Sequence, residues 1–233
     1  AEAPWEPVAQ LAKASVAMKV VLRACRKMMR RSTGTAVSDM AAPMNGMGTA
    51  LEVFSVSGFR GATVDQIAAK ADMSKPNLLY YFRRKEDIYV ALLEHTLSGW
   101  LEPLRALDPQ GDPLAELSRY ITAKMRMSQA NPMASRLFAN EILHGAPMIE
   151  KFLKGPLKQL VAEKAEVIRF WMTTGKLAHA DPYHLIFAIW AVTQHYADFS
   201  VQVEAVLGRR ENGGSAQKAV LDILLRGLRP RQP

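Results

Sequence analysis

Helix-start signals recur along this chain, and no strand pattern lies between them. Pro113, Pro132 and Pro182 each follow an Asp or Asn whose side chain can cap a helix, and Pro147 marks a further predicted helix start. Proline is favoured at the first helical position, because an N–H there would have no intrahelical partner. No segment shows the sustained period-2 alternation of apolar and polar residues that a half-buried strand requires. The sequence therefore predicts an all-α fold.

The composition of the chain excludes several classes of protein. Its 233 residues are 49% hydrophobic and 22% charged, with a formal net charge of +8, which suits a globular protein with a sizeable core. The only cysteine, Cys25, cannot form an intramolecular disulfide or a multi-cysteine zinc site. We therefore expect a reducing, cytoplasmic location. We also expect no cofactor. No run of 18 apolar residues predicts a membrane span.

Residues 1–43 form a basic extension, which we expect to be disordered. Within it, residues 7–38 contain seven Lys or Arg side chains and no Asp or Glu. A transit peptide and a basic amphipathic helix on a membrane surface or on DNA are the alternatives. Met40 begins a plausible bacterial N-terminus, so the extension could precede the working protein.

Residues 44–90 are predicted to form a DNA-binding domain, because the elements follow in the order helix, turn, short helix, turn, short helix. Gly58 ends the first helix, since glycine readily adopts the left-handed conformation found there. Thr63 begins a capping box for the second helix. Ser74 can cap the third, Lys75–Phe82. This order is the plan of a helix-turn-helix.

The third helix of this domain carries residue types that contact DNA. It is predicted to expose Lys75 and Asn77, which can bond guanine and adenine respectively, and to bury Leu78 and Phe82. Tyrosine hydroxyls and a lysine ammonium suit phosphate oxygens. The candidate DNA contacts are Thr63, Ser74, Lys75, Asn77, Tyr80, Tyr81 and Lys85. The alternative is a small packing unit of three helices with a solvated Lys and Asn.

These motifs resemble the TetR family of one-component transcriptional regulators. The matching positions are Phe54, Gly58, Phe59, Thr63, Ile67 and Ala68, followed by Ser74, Lys75, Asn77, Leu78, Tyr80, Phe82, Lys85 and Glu86. Over about residues 48–208 the chain is similar to one member, a repressor of pyrimidine-utilisation genes. The stretches concerned are 77–82, 135–138, 145–147, 175–178 and 193–199.

The resemblance implies a homodimer that binds a palindromic DNA operator. It implies a larger helical ligand-binding and dimerisation domain over residues 91–233, with the last two helices of each subunit forming the interface. The segment from Tyr183 to Leu207 is apolar nearly all round, which agrees with burial on more than one side. A two-fold dimer would place its two recognition helices about 34–36 Å apart, one turn of DNA.

The first helix departs from the family pattern. The segment Pro43–Gly48 contains two glycines, and each costs roughly 1 kcal/mol inside a helix. We therefore expect a shortened or frayed first helix.

A ligand site is indicated by Trp190 and Gln194, which lie one helical turn apart and share a face. An aromatic ring beside an amide suits a planar nucleobase, which can stack and form hydrogen bonds. The resemblance implies that Trp100, Leu101, Phe138, Trp190 and Gln194 lie at or near a pyrimidine pocket, with uracil or thymine as effector. Trp and Phe at helical spacing are also ordinary core residues.

Two other functions remain as alternatives. A regulator of the same fold could sense a non-pyrimidine effector, since pocket specificity drifts while a fold persists. An enzyme on a helical scaffold is disfavoured, because the sequence has no Gly-x-Ser-x-Gly, Walker loop, His-Glu-x-x-His or dinucleotide fingerprint.

Overall fold

The computed structural model describes residues 36–230, and side chains from residue 47 onward. Within this range every regular element is helical, so the predicted all-α fold is confirmed. The helices are α1 (Ala36–Gly61), α2 (Val64–Lys70), α3 (Lys75–Tyr81), α4 (Lys85–Arg105), α5 (Pro113–Ala130), α6 (Pro132–Leu143), α7 (Glu150–Phe152), a π-helical turn (Leu153–Leu157), α8 (Lys158–Thr173), α9 (Pro182–Asp198), α10 (Ser200–Leu207) and α11 (Gly214–Leu228). No described helix combines the length and hydropathy of a membrane span.

Helix α1 is longer than the sequence predicts. It continues through Pro43–Gly48 instead of fraying there, so the expected shortening is wrong. Ala50 and Phe54 are fully buried further along α1, and tertiary packing of an apolar face outweighs a small loss of helix propensity. Residues 36–43 of the predicted extension thus belong to α1, and residues 1–35 lie outside the described residues.

Gly58 interrupts α1, as the sequence predicts. Its φ of 66° and ψ of 172° are not helical, and an L side chain rarely adopts this φ. The last turn of α1 follows the interruption, which separates it from the longer part of the helix.

The first of two compact units contains the described residues up to Leu97 together with Asn140–Phe152. Its core is formed by α1 to α4, with Phe54, Ile67, Leu78 and Ile88 almost fully buried. The unit therefore contains the whole predicted helix-turn-helix.

The second unit contains Ser98–Ala139 and the residues from Leu153 onward. Helix α5 packs against α9 and α11, and α8 packs against α9. Trp171 is fully buried in this unit, and its indole Nε1 donates to the carbonyl of Pro109 at 2.9 Å. The predicted domain boundary at residue 90 stays a prediction, and α4 contributes residues to both units.

Candidate functional sites

The two hydroxyl residues predicted to contact DNA act as helix caps. Thr63 Oγ1 accepts from the amide of Gln66 at 3.2 Å, and the Gln66 side chain accepts from the amide of Thr63 at 2.9 Å. Ser74 Oγ accepts from the amide of Asn77 at 3.3 Å. The predicted capping box and the Ser74 cap are therefore confirmed, and the caps fix where α2 and α3 begin.

Helix α3 presents a polar, aromatic surface. Lys75, Asn77 and Tyr80 are exposed, Tyr81 is half-buried, and Leu78 is buried beneath them. The Tyr80 and Tyr81 rings lie 5.3 Å apart, edge to face. This exposure agrees with the sequence prediction and leaves α3 able to enter a DNA groove.

Lys75 is paired inside the helix-turn-helix. Its Nζ donates to Asp65 Oδ2 at 2.8 Å, and both side chains are about half exposed or more. An exposed ion pair contributes at most about 1 kcal/mol. Lys75 can therefore exchange Asp65 for a base or a phosphate at small cost.

Lys85 forms hydrogen bonds within the first unit, and its predicted phosphate contact stays a prediction. Its ammonium donates to the carbonyls of Phe59 and Ala62 at 2.7 and 2.8 Å. It also lies 4.6 Å from the centroid of the Phe59 ring. These contacts tie the start of α4 to the end of α1, which favours a structural role over the predicted phosphate contact.

A buried polar pair lies elsewhere in the first unit. The Tyr89 side chain forms a hydrogen bond with Glu141, and burial together with this carboxylate raises the pKa of the Tyr89 phenol. Glu141 Oε1 also accepts from the amide of Met148 at 2.9 Å. The pair joins the last turn of α6 and the loop after it to α4.

In the second unit, two of the predicted ligand residues contact each other. The Trp100 and Phe138 rings lie 5.5 Å apart at 81°, an edge-to-face pair. Leu101 is buried next to Trp100 in the chain. The ammonium of Lys124 lies 5.0 Å from the centroid of the Trp100 indole. The cluster is thus aromatic with a cation beside it.

Trp190 and Gln194 form the other predicted part of the site. Trp190 Nε1 donates to the hydroxyl of Tyr120 at 2.6 Å. Gln194 is half-buried, and its amide has no hydrogen-bond partner among residues 36–230. An amide in that state can bond a ligand without first losing a protein contact.

The packing of α5 on α9 brings these two groups to the same region. Tyr120 and Lys124 are one turn apart on α5, and Ser128 Oγ, one turn further, donates to the carbonyl of Thr193 at 2.7 Å. Trp190 and Gln194 share a face of α9 by the same four-residue spacing. Lys124 therefore lies between two points at which α5 contacts α9.

Charged groups in this region are perturbed by burial. Burial lowers the pKa of Lys124 to about 8, although the nearby Asp198 carboxylate opposes the shift. Burial also raises the pKa of Asp198, whose Oδ1 accepts from Ser135 Oγ at 2.5 Å. Lys124 and Asp198 thus attract each other without a direct ion pair.

The sequence analysis did not single out Lys124, although its position on an apolar helical face can be recognised from the sequence. The buried face of α5 includes Leu117, Tyr120, Ile121 and Met125, and Lys124 continues this spacing. A lysine on an apolar helical face is unusual, because the cost of burying an ammonium is large.

Two family profiles together match nearly all of the described chain. Residues 47–92 match "Bacterial regulatory proteins, tetR family", and residues 93–231 match "YcdC-like protein, C-terminal region". The HTH-type transcriptional regulator RutR of Escherichia coli strain K12 is 47% identical over 189 residues, which cover 79% of this chain and 89% of that protein.

Solved structures share the fold at low sequence identity. A bacterial regulatory protein in the TetR family from Rhodococcus RHA1 has a TM-score of 0.66 at 19% identity, covering 82% of this chain and 98% of that one. The fatty acid degradation regulator FadR from Bacillus halodurans has a TM-score of 0.61 at 20% identity, covering 81% and 97%.

Proposed function

Because the chain belongs to the TetR family of transcriptional regulators, which are DNA-binding proteins and not enzymes, we propose that it is a cytoplasmic repressor released by uracil or thymine. The single observation that carries the effector proposal is the half-buried, unpaired amide of Gln194 on the same face of α9 as the Trp190 indole. An indole and a free amide suit a planar imide ring, which can stack and form two hydrogen bonds.

The DNA-binding part of the proposal rests on α3. Its exposed Lys75, Asn77 and Tyr80 stand above a buried Leu78, so the helix can enter a major groove while its apolar side packs on α2. Thr63 and Ser74 contribute by positioning α2 and α3, and Tyr80 and Tyr81 are proposed to contact the DNA backbone.

Replacing Asn77 with alanine should weaken operator binding roughly 10- to 100-fold, because a bidentate contact to adenine contributes about 1–3 kcal/mol of discrimination. Fluorescence anisotropy on an operator selected from random DNA measures this change. Asn140→Ala is the matched control, since Asn140 is an exposed asparagine of the same unit. If Asn77→Ala and the unmodified protein bind the operator with equal affinity, Asn77 does not contact the bases.

We propose that the working form is a homodimer through the helices between residues 182 and 228. The single chain leaves large apolar side chains exposed on these helices and the residues between them: Phe187, Phe199, Val201, Val206, Leu207 and Ile223. Large apolar side chains exposed on neighbouring segments are typical of an interaction surface. Two-fold symmetry then supplies two copies of α3 for a palindromic operator.

Two helices can couple effector binding to DNA binding, since each has residues in both compact units. Helix α4 carries Lys85 and Trp100, and α6 carries Phe138 and Glu141. An effector that contacts Trp100 and Phe138 would change the preferred positions of both helices. It must bind the DNA-incompetent dimer more tightly than the competent one, typically by 1–3 kcal/mol.

Titration calorimetry of the dimer with uracil, thymine and cytosine tests the effector. We expect saturable binding of uracil or thymine, release of a bound operator by the same compound, and a loss of roughly 10-fold or more in Gln194→Ala, which lacks the amide hydrogen bonds. Gln202→Ala, an exposed glutamine on α10, is the control.

Absence of binding by all three pyrimidines to a folded, operator-binding dimer would overturn the pyrimidine assignment. The DNA-binding assignment would stand, and a non-pyrimidine effector would replace uracil and thymine.

A further inference from the structure

Lys124 is a largely buried residue whose ammonium has no hydrogen-bond acceptor among the described residues. The residue is 5% exposed, and within the part of the chain that the structure describes its ammonium forms no hydrogen bond and no ion pair within 4.0 Å. An ammonium has three donors and no acceptor, and burying it unpaired is costly unless something else compensates. A lysine in this position therefore lacks a partner in the free protein.

The groups around Lys124 do not supply that partner. The Trp100 indole attracts the cation through its ring face at 5.0 Å, which is an electrostatic contact and not a hydrogen bond. Asp198 attracts it from a distance, and one Asp198 oxygen is already occupied by Ser135. The free donors of Lys124 thus lie beside an aromatic wall.

We propose that Lys124 determines the chemical class of the effector, by donating to a carbonyl or ionised oxygen of a planar ring that lies against Trp100. This inference deepens the proposed effector site and rests on it. A donor-only group rejects a ring that presents an amino group at the same place, because two donors would face each other. The site then takes cyclic amides, imides and related oxyanions.

Gln194 and Lys124 have different tasks in the proposed site. Gln194 offers both a donor and an acceptor, so it tolerates either polarity on the ring edge. Lys124 offers donors alone, so it imposes one polarity. Discrimination between carbonyl and amino analogues therefore depends on Lys124, whereas Gln194 contributes affinity.

The test compares ligands that differ in a single group, by calorimetry and by ligand-induced change in melting temperature. Uracil, hydantoin and nicotinate present carbonyl or carboxylate oxygens, whereas cytosine and isocytosine each replace one uracil carbonyl with an amino group. We expect the unmodified protein to bind at least one oxygen-bearing ring and to reject at least one of the two amino analogues.

Lys124→Met should lose roughly 10- to 100-fold in affinity for the accepted ring, since it loses a charged donor and keeps the length of the side chain. Lys124→Gln should accept the rejected amino analogue, because its amide oxygen can receive a hydrogen bond. Lys164→Met is the matched control: Lys164 is also buried in this unit, but pairs with Glu163 at 3.1 Å.

The protein could bind hydantoin or nicotinate but no pyrimidine, and lose that binding in Lys124→Met. This result would support the proposed role of Lys124 and overturn only the pyrimidine effector. Uracil binding that is unchanged in folded Lys124→Met would overturn the Lys124 proposal alone. If no ring in the panel binds, both proposals are overturned.

Discussion

Replacing Lys85 with methionine should lower the free energy of unfolding by about 2–3 kcal/mol. The ammonium donates to two carbonyls near the end of α1, those of Phe59 and Ala62. Hydrogen bonds to a charged group contribute about 1.5–3 kcal/mol each, and the partial exposure of Lys85 places both at the low end. Methionine keeps the apolar stem against Phe59 but leaves both carbonyls without this donor.

Urea unfolding followed by circular dichroism measures the loss. Arg84→Met is the control, because Arg84 is an exposed neighbour whose only described ion pair is with Asp87, three residues along the chain. The salt dependence of operator binding separates the structural role from a phosphate contact. Unchanged stability, with a salt slope smaller by about 1, would show that Lys85 contacts phosphate as the sequence suggested.

Replacing Lys124 with methionine should have the opposite effect on stability and make the protein more stable at pH 7. The ordinary lysine pKa of 10.5 falls to about 8 in the folded chain, because burial disfavours the charged form. Between these two pH values the unfolded chain binds more protons than the native one, so the stability of the unmodified protein rises with pH. Below about pH 8 the native state bears the full cost of the buried charge.

The expected gain for Lys124→Met at pH 7 is about 3 kcal/mol, from roughly 1.4 kcal/mol per unit of the fall in pKa, which already includes the attraction to Asp198. The gain should shrink above pH 8 and nearly vanish by pH 10.5. Urea unfolding at pH 7, 9 and 10.5 measures it, with Lys164→Met as control. Lower stability of Lys124→Met, by the same amount at all three pH values, would contradict this account.

Buried groups that lower stability are typical of functional sites. Lys124→Met is therefore expected to bind the ligand more weakly and to be more stable than the unmodified protein. Lys85→Met, in contrast, should lower stability, because two carbonyls lose a charged donor.

Local rules explain which helix boundaries the sequence predicted correctly. Thr63, Ser74, Asn131 and Asp181 each accept a hydrogen bond from an amide three residues on, so a cap is legible from a few neighbouring residues. The helix start predicted at Pro147 is wrong, and α7 begins three residues later at Glu150. Ala146 precedes that proline with a positive φ of 54° and has no side chain that can cap.

The contacts that define the candidate sites are not local. Trp190 donates to a hydroxyl 70 residues earlier in the chain, and Lys85 donates to carbonyls 23 and 26 residues earlier. Helical periodicity predicts which face of a helix is buried, but it does not give the partner of that face. Sequence reasoning therefore gave no indication that Lys85 donates to these carbonyls or that Lys124 lies beside Trp100.

The helical class, the caps and the order of the helix-turn-helix can be predicted from sequence, because backbone conformation and side-chain spacing control these features within one or two turns. The helix packing in the second unit decided that Trp100, Phe138 and Lys124 meet and that Trp190 contacts Tyr120. Such contacts depend on how the apolar faces of helices pack together when the helices are far apart in the sequence. For that reason the buried ammonium beside Trp100 is a property of the tertiary structure and not of any local motif.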